Sequence, residues 1–155
     1  ALMNFISKEP INKGWSNDKK YCVTDKNGTR YLLRISDIAE YDKKQSEFNM
    51  MKQVSALGVP MCQPIKFGVC DEGVYSTQSW IDGADAEKVI PTLSDTEQYV
   101  YGLEAGRILK KIHSIPAPET QEDWEIRFNR KMDYKINKYT ECPLKYENGQ
   151  AFTTT

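Results

Sequence analysis

Three stretches of this 155-residue chain group residue types suited to handling an anionic ligand or to holding the cation that would meet it. The first reads Ile11-Asn12-Lys13-Gly14-Trp15-Ser16-Asn17-Asp18-Lys19-Lys20-Tyr21. A glycine among small polar residues between two strands can turn backbone amides toward phosphate oxygens. The same residues would also serve as an ordinary surface hairpin. The second is Arg34, inside the run Tyr31-Leu32-Leu33-Arg34-Ile35. A charge within an apolar strand needs a partner, because burying it alone is very costly; on an edge strand it would simply be a surface arginine. The third is the acidic pair Glu40 and Glu47, on a helix that also carries apolar residues. Either would by itself be a solvated helix glutamate. His113 is the only histidine, and with no second one and no C-x-x-C pair among Cys22, Cys62, Cys70 and Cys142 there is no zinc constellation. The four cysteines read as ordinary reduced thiols.

The elements that must position these residues follow from pattern. Residues 19–25 and 29–35 are β-prone runs joined by Lys26-Asn27-Gly28, and an Asn-Gly between such runs signals a hairpin, because both residues tolerate positive φ. In the second strand Tyr31, Leu33 and Ile35 face one way, and Leu32 and Arg34 the other. A helix over 37–57, capped by Ser36 or Asp37, presents Tyr41, Phe48, Met51, Val54 and Leu57 as an apolar stripe. Gly58 and Pro60 end it. Strands over 63–70 and 74–81 flank an Asp71-Glu72-Gly73 turn, and 82–85 forms a connector. Ser94 and Glu97 have capping-box spacing, which starts a helix running to His113 with Val100, Leu103, Leu109 and Ile112 as its buried stripe. Ile115-Pro116-Ala117-Pro118 breaks it. A last helix starts near Thr120, its stripe being Trp124, Phe128, Met132, Ile136 and Tyr139. Residues 151–155 carry no helix or strand pattern.

Length and composition fit a single ordinary globular domain, with 39% hydrophobic and 28% charged residues. A net charge of −1 argues against nucleic acid as a partner. No apolar run is long enough for a membrane span and no signal-peptide core is present, so the expectation is a cytoplasmic protein without membrane contact.

Taken in order, loop, charged strand, glutamate helix, strand-to-connector segment and the helix Leu103-Glu104-Ala105-Gly106-Arg107-Ile108-Leu109-Lys110-Lys111-Ile112-His113 resemble the amino-terminal part of the aminoglycoside phosphotransferase family, which shares the protein-kinase fold. Gly106, Leu109, His113 and Pro116 match the family's G-x-x-L-x-x-x-H helix and following proline turn, the most specific part of the resemblance. The resemblance implies an α+β fold: a kinase-like amino-terminal lobe of about five antiparallel strands and one long helix over 1–81, a hinge over 82–93, and over 94–155 the helices that begin the second lobe, cut short. It implies that Gly14, Ser16 and Asn17 approach the phosphates of ATP or GTP. Arg34 stands where kinases place a lysine that holds the α- and β-phosphates and pairs with a helix glutamate, here Glu47. The Ser79 carbonyl and the Ile81 amide would hold the adenine ring, with Gln78 behind it. His113 would pack or cap the negative end of its helix.

One part of the family pattern is missing. Phosphoryl transfer of this type needs a catalytic aspartate and ligands for magnesium, which the family keeps in an H-G-D-x-x-x-x-N loop and a later aspartate. The 155 residues contain no H-G-D and no aspartate beyond Asp133. The expectation is that no catalytic or metal-binding residue lies in this chain, and that it is an inactive piece of a kinase. Magnesium and the hydroxyl-bearing small-molecule substrate would belong to the complete enzyme. The alternative is a stand-alone kinase-like module that binds nucleotide or protein without catalysis. The apolar stripes around Trp124 and Phe128, if uncovered, would favour self-association.

Overall fold

The computed structural model describes residues 4–142; the sequence reading of 151–155 falls outside them. Two compact units divide the chain, Ala1–Pro116 and Ala117–Thr155. The first holds one antiparallel sheet of β1 (Phe5–Pro10), β2 (Lys19–Asp25), β3 (Arg30–Ser36), β4 (Pro64–Cys70) and β5 (Gly73–Ser79), in the order β1-β2-β3-β5-β4. Between β3 and β4 runs the helix α1 (Tyr41–Ala56), preceded by a 3-10 turn over Ile38–Glu40. This is the kinase-like amino-terminal lobe that the resemblance implies.

The two faces of β3 do different work, as strand alternation requires. Leu33 and Ile35 join Val23 and Tyr75 in the core, each at most 2% exposed, with Phe5, Tyr21, Tyr31 and Cys70 packed against them. Arg34 and Ser36 share the opposite face. Their register partners on β5 are Ser76 and Val74. α1 lays its stripe toward β4 and β5: Phe48 is buried, and its ring and that of Tyr41 both pack on Phe67, with centroids 5.5 and 5.4 Å away. Asp37 caps the 3-10 turn by accepting the Ala39 amide.

The β2–β3 turn departs from the expected form. Among the described residues none other than glycine takes a positive φ, so Asn27 does not. Asp25 supplies what a two-residue turn would have: its carboxylate accepts the amides of Asn27 and Thr29, both at 2.9 Å. Only Gly28, at φ +80, turns left-handed. β5 also ends earlier than expected, at Ser79, leaving Trp80 and Ile81 outside the sheet. The connector contains a short helix, α2 (Ala86–Val89), and a 3-10 turn over Ile90–Thr92.

The helix α3 (Asp95–Ile112) starts with the expected capping box: Ser94 accepts the Glu97 amide, and the Glu97 carboxylate accepts the Ser94 amide. Its apolar stripe is not buried. Val100 is 58% and Leu109 51% exposed, and no residue of α3 falls in the buried class. Among the described residues of its own unit no element shares an extended contact with α3, although Ile108 and Ile112 are half-buried. Its caps and its propensity specify the helix locally. In the second unit, α4 (Trp124–Thr140) begins at Asp123, whose side chain caps the amides of Glu125 and Ile126. Trp124 and Phe128 stack at 4.8 Å on its exposed surface. Among the described residues no helix is long and apolar enough to cross a membrane, and all four cysteines are free.

Candidate functional site

Two adjoining hollows lie at the start of β2, and Asp18 lines both. The smaller, of about 40 Å³, sits between the sheet and α1. Asp18, Arg34, Lys44 and Glu47 supply its charge, with Phe48 and Met51 as apolar wall. A space of that size takes a few waters and no nucleotide.

Asp18 is the centre of this hollow, its side chain only 4% exposed. Its carboxylate accepts from Arg34 Nε at 3.1 Å and Nη2 at 2.5 Å, and from Ser36 Oγ at 2.8 Å. Lys44 Nζ lies 3.1 Å from Oδ1 and 3.2 Å from Oδ2. Burial alone would raise the Asp18 pKa. The hydrogen bonds from Ser36, Lys44 and Arg34, with the guanidinium charge, outweigh it and hold the carboxyl at about 2. For Lys44, burial opposes the charge, but Asp18 and then Glu47 keep its pKa raised.

Local geometry explains the convergence. Arg34 and Ser36 are two apart on β3 and so point the same way. Lys44 lies three residues after Tyr41 and four before Phe48, which places it on the inward stripe of α1. Glu47 lies on the flank of that stripe.

The expected Arg34–Glu47 pair is therefore not formed. Arg34 is held by Asp18, and Glu47, half exposed at 51%, faces Lys44 at 3.3 Å. Glu40, the other helix candidate, lies 3.8 Å from the same Lys44. Arg34 and Glu47 still border one hollow, but a lysine and an aspartate stand between their charges. Neither Asp18 nor Lys44 was singled out from the sequence. The available signal was a lysine interrupting an apolar stripe at helical spacing.

The larger hollow, an open groove of about 290 Å³, lies under the segment between β1 and β2. Lys13, Gly14, Ser16 and Lys20 line it. The Ile11 amide donates to the Lys20 carbonyl at 2.8 Å and closes the base of the loop. Gly14 sits at φ +93, where a side chain would be strained, and an added Cβ would come within 3.0 Å of Lys20 Nζ. That ammonium donates to the Lys13 carbonyl, while Lys13 itself pairs with Asp85 at the start of α2. Asp85 raises the Lys13 pKa by hydrogen bond and charge. Ser16 Oγ lies 3.3 Å from Arg34 Nη2, so the loop and the charged hollow meet at this contact. Asn17 is exposed and lines neither hollow.

The two residues expected to hold the adenine ring lie apart from both hollows. Ser79 ends β5, with its amide donating to the Gln63 carbonyl at 2.9 Å and its Oγ accepting the Gln63 amide at 2.8 Å. Ile81 is 60% exposed. Gln78, 3% exposed, does border the small hollow; its Oε1 accepts from Cys62 Sγ at 3.1 Å. His113 is the C-cap residue of α3 and is exposed.

These elements set a glycine loop beside a clamped arginine, with a charge network centred on the buried Asp18 behind them. Comparison with curated protein sequences gives no match. Comparison with family models matches residues 8–154 to the Phosphotransferase enzyme family. That match spans the loop, the charged hollow, the connector and the three long helices, and on this ground the chain belongs to the phosphotransferase enzyme family.

Proposed function

We propose that this chain is the nucleotide-binding part of a small-molecule kinase that moves the γ-phosphate of ATP or GTP to a hydroxyl of an aminoglycoside-type acceptor. The observation that carries the reading is the groove under Lys13, Gly14 and Ser16, which adjoins Arg34 through the Ser16 contact. A groove of about 290 Å³ has room for a polyphosphate arm, unlike the charged hollow of about 40 Å³ behind it. Loop amides near Gly14 would point at phosphate oxygens. The Arg34 guanidinium, held on one edge by Asp18, would offer its remaining N–H groups to the same oxygens. Ser79, the last residue of β5, and Ile81, just past the sheet, would meet the base.

Within the family's chemistry the bound metal neutralises charge on the transferring phosphate. No group of three or more His, Cys, Asp or Glu among the described residues could hold a metal ion. We assign magnesium and the acceptor pocket to the complete enzyme, and to this chain the binding and orientation of the nucleotide. The purified 155-residue chain should show no magnesium-dependent phosphorylation of aminoglycosides. Transfer above background would refute that part of the reading.

Nucleotide binding is tested by thermal unfolding. A ligand at about 100 times its dissociation constant stabilises by about 2.7 kcal/mol, so ATP or GTP should raise the Tm. Gly14→Val, which forces a side chain into a left-handed position, should abolish the rise while leaving the sheet intact. No Tm change with either nucleotide would contradict the reading. Nucleotide binding without catalysis by the complete natural protein would favour a binding module instead.

A further inference from the structure

We propose that Asp18 is the residue that positions Arg34 for the nucleotide phosphates, and that Lys44 rather than Glu47 is the contribution of α1 to this network. The proposal rests on the nucleotide reading above and gives it a specific device. A kinase-like lobe ordinarily joins a strand cation to a helix anion. Here the polarity of that link is reversed. The strand supplies Arg34, the helix supplies Lys44, and one carboxylate from the end of the glycine loop joins them.

The geometry supports this in three ways. Arg34 gives both Nε and Nη2 to one oxygen of Asp18, Oδ2, at 3.1 and 2.5 Å, a side-on grip on that edge of the guanidinium. Nη1 takes no part in that grip, and the Arg34 side chain is 34% exposed, so the group is held without being enclosed. Asp18 follows directly on the loop residues Ser16 and Asn17, so the same carboxylate that clamps Arg34 anchors the loop that carries Gly14. Lys44 and Ser36 take up acceptor sites that Arg34 leaves on Asp18, which keeps the carboxylate from swinging. Glu47 touches the network only through Lys44.

The test reads the Arg34 side chain directly. In ¹⁵N-labelled chain, the Arg34 Nε–H signal should exchange slowly with water. It should stay slow in Glu47→Gln and become fast in Asp18→Asn. In parallel, Asp18→Asn should weaken ATP binding about tenfold, the scale of a lost charge-assisted hydrogen bond, while Glu47→Gln stays within about twofold. A merely structural role for Asp18 would move the melting temperature without selecting the Arg34 Nε–H. If Asp18→Asn fails to fold, Glu47→Gln decides alone: retained protection supports Asp18 as the partner, and lost protection overturns it. Protection that follows Asp18 in a chain that binds no nucleotide would sink the nucleotide reading and leave Asp18 as the partner of Arg34.

Discussion

The sheet and the helix α3 are equally regular, but different forces hold them. The sheet owes its order to burial: Val23, Leu33, Ile35 and Tyr75 are almost wholly removed from water. α3 has eighteen residues and a complete capping box, yet none of its side chains is buried. Local signals are enough to define where a helix begins and which residues line its stripe. They do not say whether anything will cover that stripe. Stability should therefore be concentrated in the sheet and its Asp18 network, with α3 adding little of its own.

The comparison breaks most visibly at matched leucines. Leu33→Ala should destabilise the chain by about 3 kcal/mol in urea unfolding, because it empties a fully buried site. Leu109→Ala on α3, half exposed, should stay within about 0.5 kcal/mol. Equal costs would mean that α3 is covered in solution.

Asp18→Ala should rank next. It strands Arg34 and Lys44 together, and with Arg34 one-third exposed the loss is discounted to about 2–3 kcal/mol. The same network has a pH signature. The Asp18 pKa is about 2 in the fold against an ordinary 3.8. A lowered carboxyl pKa adds stability that is complete above the unfolded value and disappears as pH falls through the folded one. The stability gap between wild type and Asp18→Asn should thus shrink by about 2 kcal/mol between roughly pH 5 and pH 2. A constant gap would show that Asp18 is not ionised in the network.

The smallest effect sharpens the contrast from the other side. Ser94→Ala removes one half of the capping box and should cost α3 about 1 kcal/mol. Amide exchange should quicken in the first turn of α3 and stay unchanged in β3 and β5. Loss spreading to the sheet would make the two regions one cooperative unit.

Much of this division was legible in the sequence. The facing of Leu33 and Ile35 against Arg34, the α1 stripe and the Ser94 box all follow from periodicity and capping, which are local rules. The site was legible only in part. Arg34 stood out as a charge in an apolar run, and Gly14 as the glycine of the loop. Asp18 gave no such signal, since an aspartate among Asn17, Lys19 and Lys20 reads as surface. Its role depends on β2 and β3 pairing so that Lys20 lies opposite Arg34, which brings the loop end beside the arginine. The Arg34–Glu47 pairing failed for a related reason: a residue's place along a helix does not fix which of several nearby charges will reach inward. The Val100 and Leu109 stripe was expected to be buried because amphipathic pattern normally implies a covering partner.

On the proposed function, nucleotide phosphates sit in the groove under the loop beside Arg34. An ATP titration of ¹⁵N-labelled chain, followed amide by amide, tests it most directly. The account predicts saturable shifts at Gly14 and Ser16 and at the Arg34 side chain, with α4 unmoved. Shifts confined to other residues, or none at millimolar ATP or GTP, would contradict it.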